Sequence, residues 1–132
     1  MTVAAMDPGR DKCGLALLSE DGEILFQKVI ETGRMVEDVA DAVSRHKADI
    51  FLLGNGTTSK EAGKRIRAAL PELDLRVVDE YRTTEMAKRE YWKANPPTGW
   101  RRFLPTTMQV PPVPVDDFVA VILARRYLDS RN

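Results

Sequence analysis

The sequence predicts an α/β fold: a five-stranded mixed sheet with helices on both faces. Three observations lead there. Three short apolar runs, at 3–6, 13–18 and 24–30, come before any helical periodicity. From Val36 onward, helical spacing alternates with short apolar runs. Within that second half, Ile50-Phe51-Leu52-Leu53 is apolar throughout. A run without polar alternation is a strand covered on both faces, as in a parallel sheet under helices. A meander followed by α/β alternation gives a mixed sheet.

The elements follow in order. Strand 3–6 stops at Asp7, because Pro8 cannot donate to a ladder and Gly9 tolerates a turn. Strands 13–18 and 24–30 flank Ser19-Glu20-Asp21-Gly22-Glu23, and Asp-Gly between apolar runs is a hairpin signal. Val36, Val39, Ala40 and Val43 recur at helical spacing. The buried run 50–53 ends at Gly54. Thr58-Ser59-Lys60-Glu61 has capping-box spacing and opens a helix to about Leu70, where Pro71 stops it. A strand at 75–79 and a helix at 83–94 come next. Residues 95–114 hold six of the eight prolines, a long irregular excursion. The last helix, 116–128, carries Asp116 and Asp117 at its start and Arg125 and Arg126 near its end, as the helix dipole favours.

Bulk properties narrow the class. A chain of 132 residues is expected to form one domain, 1–132, with a real core. Twenty basic and twenty acidic residues cancel, so global charge argues for no partner, and any such argument is local. The single cysteine, Cys13, excludes an intrachain disulfide and fits a reducing compartment; in a strand-like run it reads as a small buried hydrophobe. The first residues lack a basic segment and a long apolar core, and no apolar run reaches the ~18 residues of a membrane span. The expectation is a cytoplasmic protein with no membrane partner.

Three acids stand at equivalent places. Asp7 ends the first strand, Glu80 follows the strand at 75–79, and Asp116 opens the last helix. Singly, each suits a turn or a helix cap. Together they point to the carboxyl edge of the sheet, where ligands gather in α/β folds. Oxygen donors without His or Cys suit Mg²⁺ or Mn²⁺. Two such ions would activate water and stabilise a leaving oxygen in phosphodiester hydrolysis. The lone His46 lies in a polar stretch and reads as solvated surface.

At this point the motifs resemble a known family. In order they are Asp7-x-Gly9-x-x-x-x-Gly14-x-Ala16, Leu52-Leu53-Gly54, Asp79-Glu80-x-x-Thr83-Thr84-x-x-Ala87 and Asp116-x-x-x-Ala120. The ordered set resembles the YqgF family, Holliday-junction-resolvase-like nucleases with an RNase H-like fold. The resemblance implies strand order 3-2-1-4-5, a divalent metal (Mg²⁺ or Mn²⁺), and a structured nucleic acid substrate. That substrate is four-way junction DNA or the precursor of the 16S ribosomal RNA. Asp7, Glu80 and Asp116 match the family's acids, with the third acid being Asp116, Asp117 or both. In this order Glu80 lies two strands from Asp7, about 10 Å between backbones at ~4.8 Å per strand. The intervening strand ends in Gly54-Asn55, with no acid, so Glu80 must lean across Gly54 to share a site with Asp7.

Other residues suit substrate contact. Asn55, Thr57 and Lys60 lie in a strand-to-helix loop whose backbone N–H groups face a helix start, which can take a phosphate or simply form a capped turn. Residues 82–102 carry a local net charge of +4 with aromatics interleaved, and Arg82, Trp100, Arg101 and Arg102 stand out for phosphate contact and base stacking. The Arg125-Arg126 pair reads as surface. The expectation is a two-metal nuclease, and a four-way junction's two-fold character favours a homodimer. The rival is a catalytically inactive RNase H-like module that binds rRNA or a protein partner.

Overall fold

A computed structural model describes residues 1–56, 58–80 and 116–130, excepting the side chains of Asp116 and Asp117. The chain forms β1 (Thr2–Asp7), β2 (Lys12–Ser19), β3 (Ile24–Glu31), α1 (Met35–His46), β4 (Ile50–Gly54), α2 (Ser59–Ala69), β5 (Leu75–Val78) and α3 (Asp116–Ser130). A short 3₁₀ turn, Thr32–Arg34, leads into α1. The helix expected at 83–94 and the proline-rich stretch lie outside the described residues.

The five strands form one sheet in the order β3-β2-β1-β4-β5. β1 pairs antiparallel with β2 and parallel with β4, and β4 pairs parallel with β5. The hairpin between β2 and β3 turns at Asp21-Gly22, with Gly22 at a φ of +87°. A side chain there would be strained in the left-handed region, which is why glycine serves this turn.

Two cores sandwich the sheet. On one face Val3, Ala5, Ala16, Leu18, Ile50 and Leu52 pack against Val119, Ala120, Leu123 and Ala124 of α3. On the other, Ala4, Met6, Leu15, Leu17, Phe51 and Leu53 meet Met35, Val39 and Ala42 of α1 and Ala62 and Ile66 of α2. Strand alternation explains the division: odd residues of β1 face α3 and even ones face α1 and α2. Both faces of β4 are covered, so all five of its residues are buried. That is the reason its sequence has no polar alternation.

Three expectations need correcting. Thr58 is the N-cap of α2, but its side chain makes no capping hydrogen bond, so the capping box is not formed. His46 is half-buried, its ring 5.9 Å from that of Phe26 and tilted by 55°, because it sits on the last turn of α1 against β3. Arg126 is half-buried too, and donates to the carbonyl of Asp79 at 3.4 Å. Cys13 is buried, as expected, with Sγ 3.4 Å from Thr32 Oγ1.

Candidate active site

The site is built at the carboxyl edge of β1, β4 and β5. The β1–β4 register pairs Met6 with Leu53, so Asp7 and Gly54 stand level. The β4–β5 register pairs Gly54 with Val78. Asp7, Gly54 and Val78 thus form one row across three parallel strands. By alternation all three face α3, the side on which Val3, Ala5 and Leu52 are packed.

Gly54 is the centre of this row, and it leaves a gap that Glu80 fills. A Cβ placed on Gly54 would overlap Glu80 Oε1 and stand 2.7 Å from Glu80 Cδ and 2.8 Å from Cγ. Any larger residue at 54 would occupy the space the carboxylate takes. A Cβ on Gly56 would lie 3.2 Å from Glu80 Oε2 and 3.5 Å from the carbonyl of Pro8. Glu80 therefore lies across the end of β4 toward the chain that follows Asp7. Oε1 is shielded from solvent there.

Asn55 holds this arrangement from the backbone side. Its Oδ1 accepts the Glu80 N–H at 3.0 Å, and its Nδ2 donates to Asp79 Oδ1 at 3.5 Å. The side chain expected to touch substrate ties the end of β5 to the end of β4. Sequence reasoning missed this role; the available signal was an amide directly after the glycine that Glu80 must cross. Arg126 of α3 adds a second tie, through the Asp79 carbonyl.

The turn after Asp7 is also fixed. Thr32 Oγ1 donates to the Gly9 carbonyl at 2.9 Å, and the Thr32 N–H donates to the Asp11 carbonyl at 2.9 Å. A Cβ on Gly9 would meet the Lys12 carbonyl, so the loop closes over its own backbone at that point.

The structure thus brings Glu80 and the end of β1 to one place. Asp116 opens α3, and Asp117 follows, on the helix that covers the Asp7 face. Lys60 is exposed in the first turn of α2. Thr57, Arg82, Trp100, Arg101 and Arg102 lie outside the described residues. Among the described residues no three His, Cys, Asp or Glu side chains cluster closely enough to hold a metal by themselves. The described acids at this edge, Asp7 and Glu80, offer hard carboxylate oxygens, the donors that Mg²⁺ and Mn²⁺ take. The space over Gly54 is what admits the Glu80 carboxylate to this edge.

Comparison with known proteins assigns the fold. No protein-family profile matches the chain. Protein tex of Bordetella pertussis (strain Tohama I) is 30% identical over 108 residues, covering 68% of this chain and 14% of that protein. An uncharacterized protein of Neisseria meningitidis serogroup B is 28% identical over 106 residues, covering 69% and 14%. The chain spans about a seventh of the length of these curated relatives. Among solved structures, Thermus thermophilus RuvC superposes with a TM-score of 0.64 at 16% identity, covering 99% of this chain and 96% of that one. The same RuvC in complex with a Holliday junction substrate gives 0.65 at 18% identity, with 99% and 95% covered.

The fold is RNase H-like. The described residues of this chain carry that fold as five strands in the order β3-β2-β1-β4-β5 with helices on both faces, the fold shared with RuvC. Among the described residues, no helix is long and apolar enough to cross a membrane.

Proposed function

We propose that the chain is a divalent-metal-dependent nuclease of the YqgF family, hydrolysing phosphodiester bonds in structured nucleic acid. The observation that carries this reading is the passage of Glu80 over Gly54, which brings a second carboxylate to the end of the strand that supplies Asp7. Asp7 and Glu80 would hold Mg²⁺ or Mn²⁺, with Asp116, Asp117 or both completing the ligand set from α3. Bound there, a pair of ions supplies activation of water and charge stabilisation at the leaving oxygen.

The chain's own residues do the positioning. Asp7 is set by the last pair of β1 with β2, opposite Gly14. Glu80 is set by Asn55 and by the space at Gly54. Thr57, Lys60, Arg82, Arg101 and Arg102 would hold phosphates, and Trp100 would stack on an unpaired base. The RuvC neighbour is in complex with a Holliday junction, which supports branched DNA as substrate; precursor 16S rRNA is the RNA counterpart. Paired incision of a four-way junction favours a homodimer.

The test is direct. Purified protein with Mn²⁺ or Mg²⁺ is expected to cleave labelled junction DNA or structured precursor rRNA, and Asp7→Asn to abolish cleavage. Unchanged cleavage by that variant removes the proposed metal site. One observation favours a second reading, a catalytically inactive module that binds rRNA or a protein: the relatives carry the matching segment as about a seventh of a longer chain. Binding of either substrate without cleavage would select it.

A further inference from the structure

The two helices on one face of the sheet carry opposite charge. Outward on α1 are Glu37, Asp38 and Asp41; its Arg45 pairs with Asp41, and Arg34 of the preceding turn pairs with Glu37, each at 3.4 Å. On α2 the outward residues Lys60, Lys64 and Arg67 are all exposed. Among the described residues none of the three is in an ion pair. Their spacing of four and three residues places them on one stripe, about 10 Å long at 1.5 Å per residue.

That stripe forms one wall of a groove of about 430 Å³ that runs between α2 and β5. Val77 of β5, 53% exposed, lies in it, and Glu61 is its one carboxylate among the described residues. Arg76, on the same strand, is not available to a partner: its guanidinium is bound to Asp74 at 3.1 Å and lies over the Tyr127 ring. The groove begins at Ser59, whose N–H donates to the Gly56 carbonyl. Gly56 is the residue against which Glu80 Oε2 rests. One end of the groove is therefore tied, through Ser59 and Gly56, to the edge where the candidate active site lies.

In a chain of zero net charge, an electrostatic argument for a partner must rest on a local patch, and three unengaged cations on one stripe are such a patch. We infer that the groove between α2 and β5 is the track for the phosphate backbone of the nucleic acid substrate, held by Lys60, Lys64 and Arg67. This rests on the nuclease reading and adds the path by which one arm of the substrate leaves the metal site. Phosphate contacts fix the orientation of a nucleic acid without reading its sequence, which suits a substrate recognised by its branching.

The test is fluorescence anisotropy of the full chain with a labelled four-way DNA junction, in EDTA so that nothing is cleaved, over a range of salt. Each phosphate contact adds roughly one to the slope of log affinity against log salt. The triple variant Lys60→Gln/Lys64→Gln/Arg67→Gln should bind at least about tenfold more weakly, with the slope reduced by about three. The triple variant Arg34→Gln/Arg45→Gln/Lys47→Gln, which removes as much charge beside α1, should keep the wild-type slope. Equal losses in both triples, or a slope unchanged in the α2 triple while wild type binds, overturn the track and leave the nuclease reading standing. Equal binding of polyglutamate, lost in the same variant, overturns nucleic acid as the occupant. Wild type that neither binds nor, with Mn²⁺, cleaves either the junction or structured precursor rRNA removes the nuclease reading and the track with it. Should the triple fail to match the wild-type unfolding temperature, Lys64→Gln alone decides, with a slope lower by about one.

Discussion

β1 and β4 run side by side in the same direction, both buried, and end level with one another, yet they end differently. β1 ends on Asp7, a carboxylate. β4 ends on Gly54, which has no side chain on the face that Asp7 occupies. The carboxylate beside Asp7 comes from past the next strand, and Gly54 is what lets it arrive. A glycine is thus as much a part of this site as an acid. The glycine just past β1 and the glycine that ends β4 differ as well. Gly9 is pressed against the Lys12 backbone, which cannot yield, and Gly54 against the Glu80 side chain, which can.

Substitutions separate these roles. Asp7→Asn keeps the shape of the β1 end and removes its charge. Cleavage should fall by about three orders of magnitude, the several kcal/mol a metal-held site contributes, in a single-turnover assay. Gly54→Ala should lower cleavage by roughly a hundredfold while unfolding stability changes by less than about 1 kcal/mol, since a flexible side chain gives way. Loss of stability without loss of cleavage at Gly54 would break the contrast with β1. Gly9→Ala should do the reverse: it should cost about 1–3 kcal/mol in a denaturant melt, because backbone must shift. Asn55→Ala should be the mildest, lowering Mn²⁺ affinity and cleavage by about tenfold, as loss of a group that supports a ligand does.

Much of the fold was legible because its signals are local. The unbroken apolar run 50–53 announced a strand covered on both sides, and β4 is that strand. Asp21-Gly22 announced the hairpin, and Gly22 takes the positive φ the turn needs. The strand order came with the resemblance, and from it the need for Glu80 to cross Gly54. The contacts of Asn55 were not legible, because they join strand ends 25 residues apart through one side chain. Nor were the half-buried places of His46 and Arg126, which depend on Phe26 and Asp79 meeting them in space. The failed capping box at Thr58 shows the limit of a spacing rule: the residues are present, but the Thr58 hydroxyl makes no bond to the helix N–H groups.

The central claim is that Asp7 and Glu80 share a metal across Gly54. A crystal of the protein soaked in Mn²⁺, with its anomalous difference map, tests it most directly. The expected result is a peak between the Asp7 and Glu80 carboxylates, with a third carboxylate from the start of α3. A peak held by Asp7 with Glu80 turned away, or no peak at saturating Mn²⁺, would contradict it.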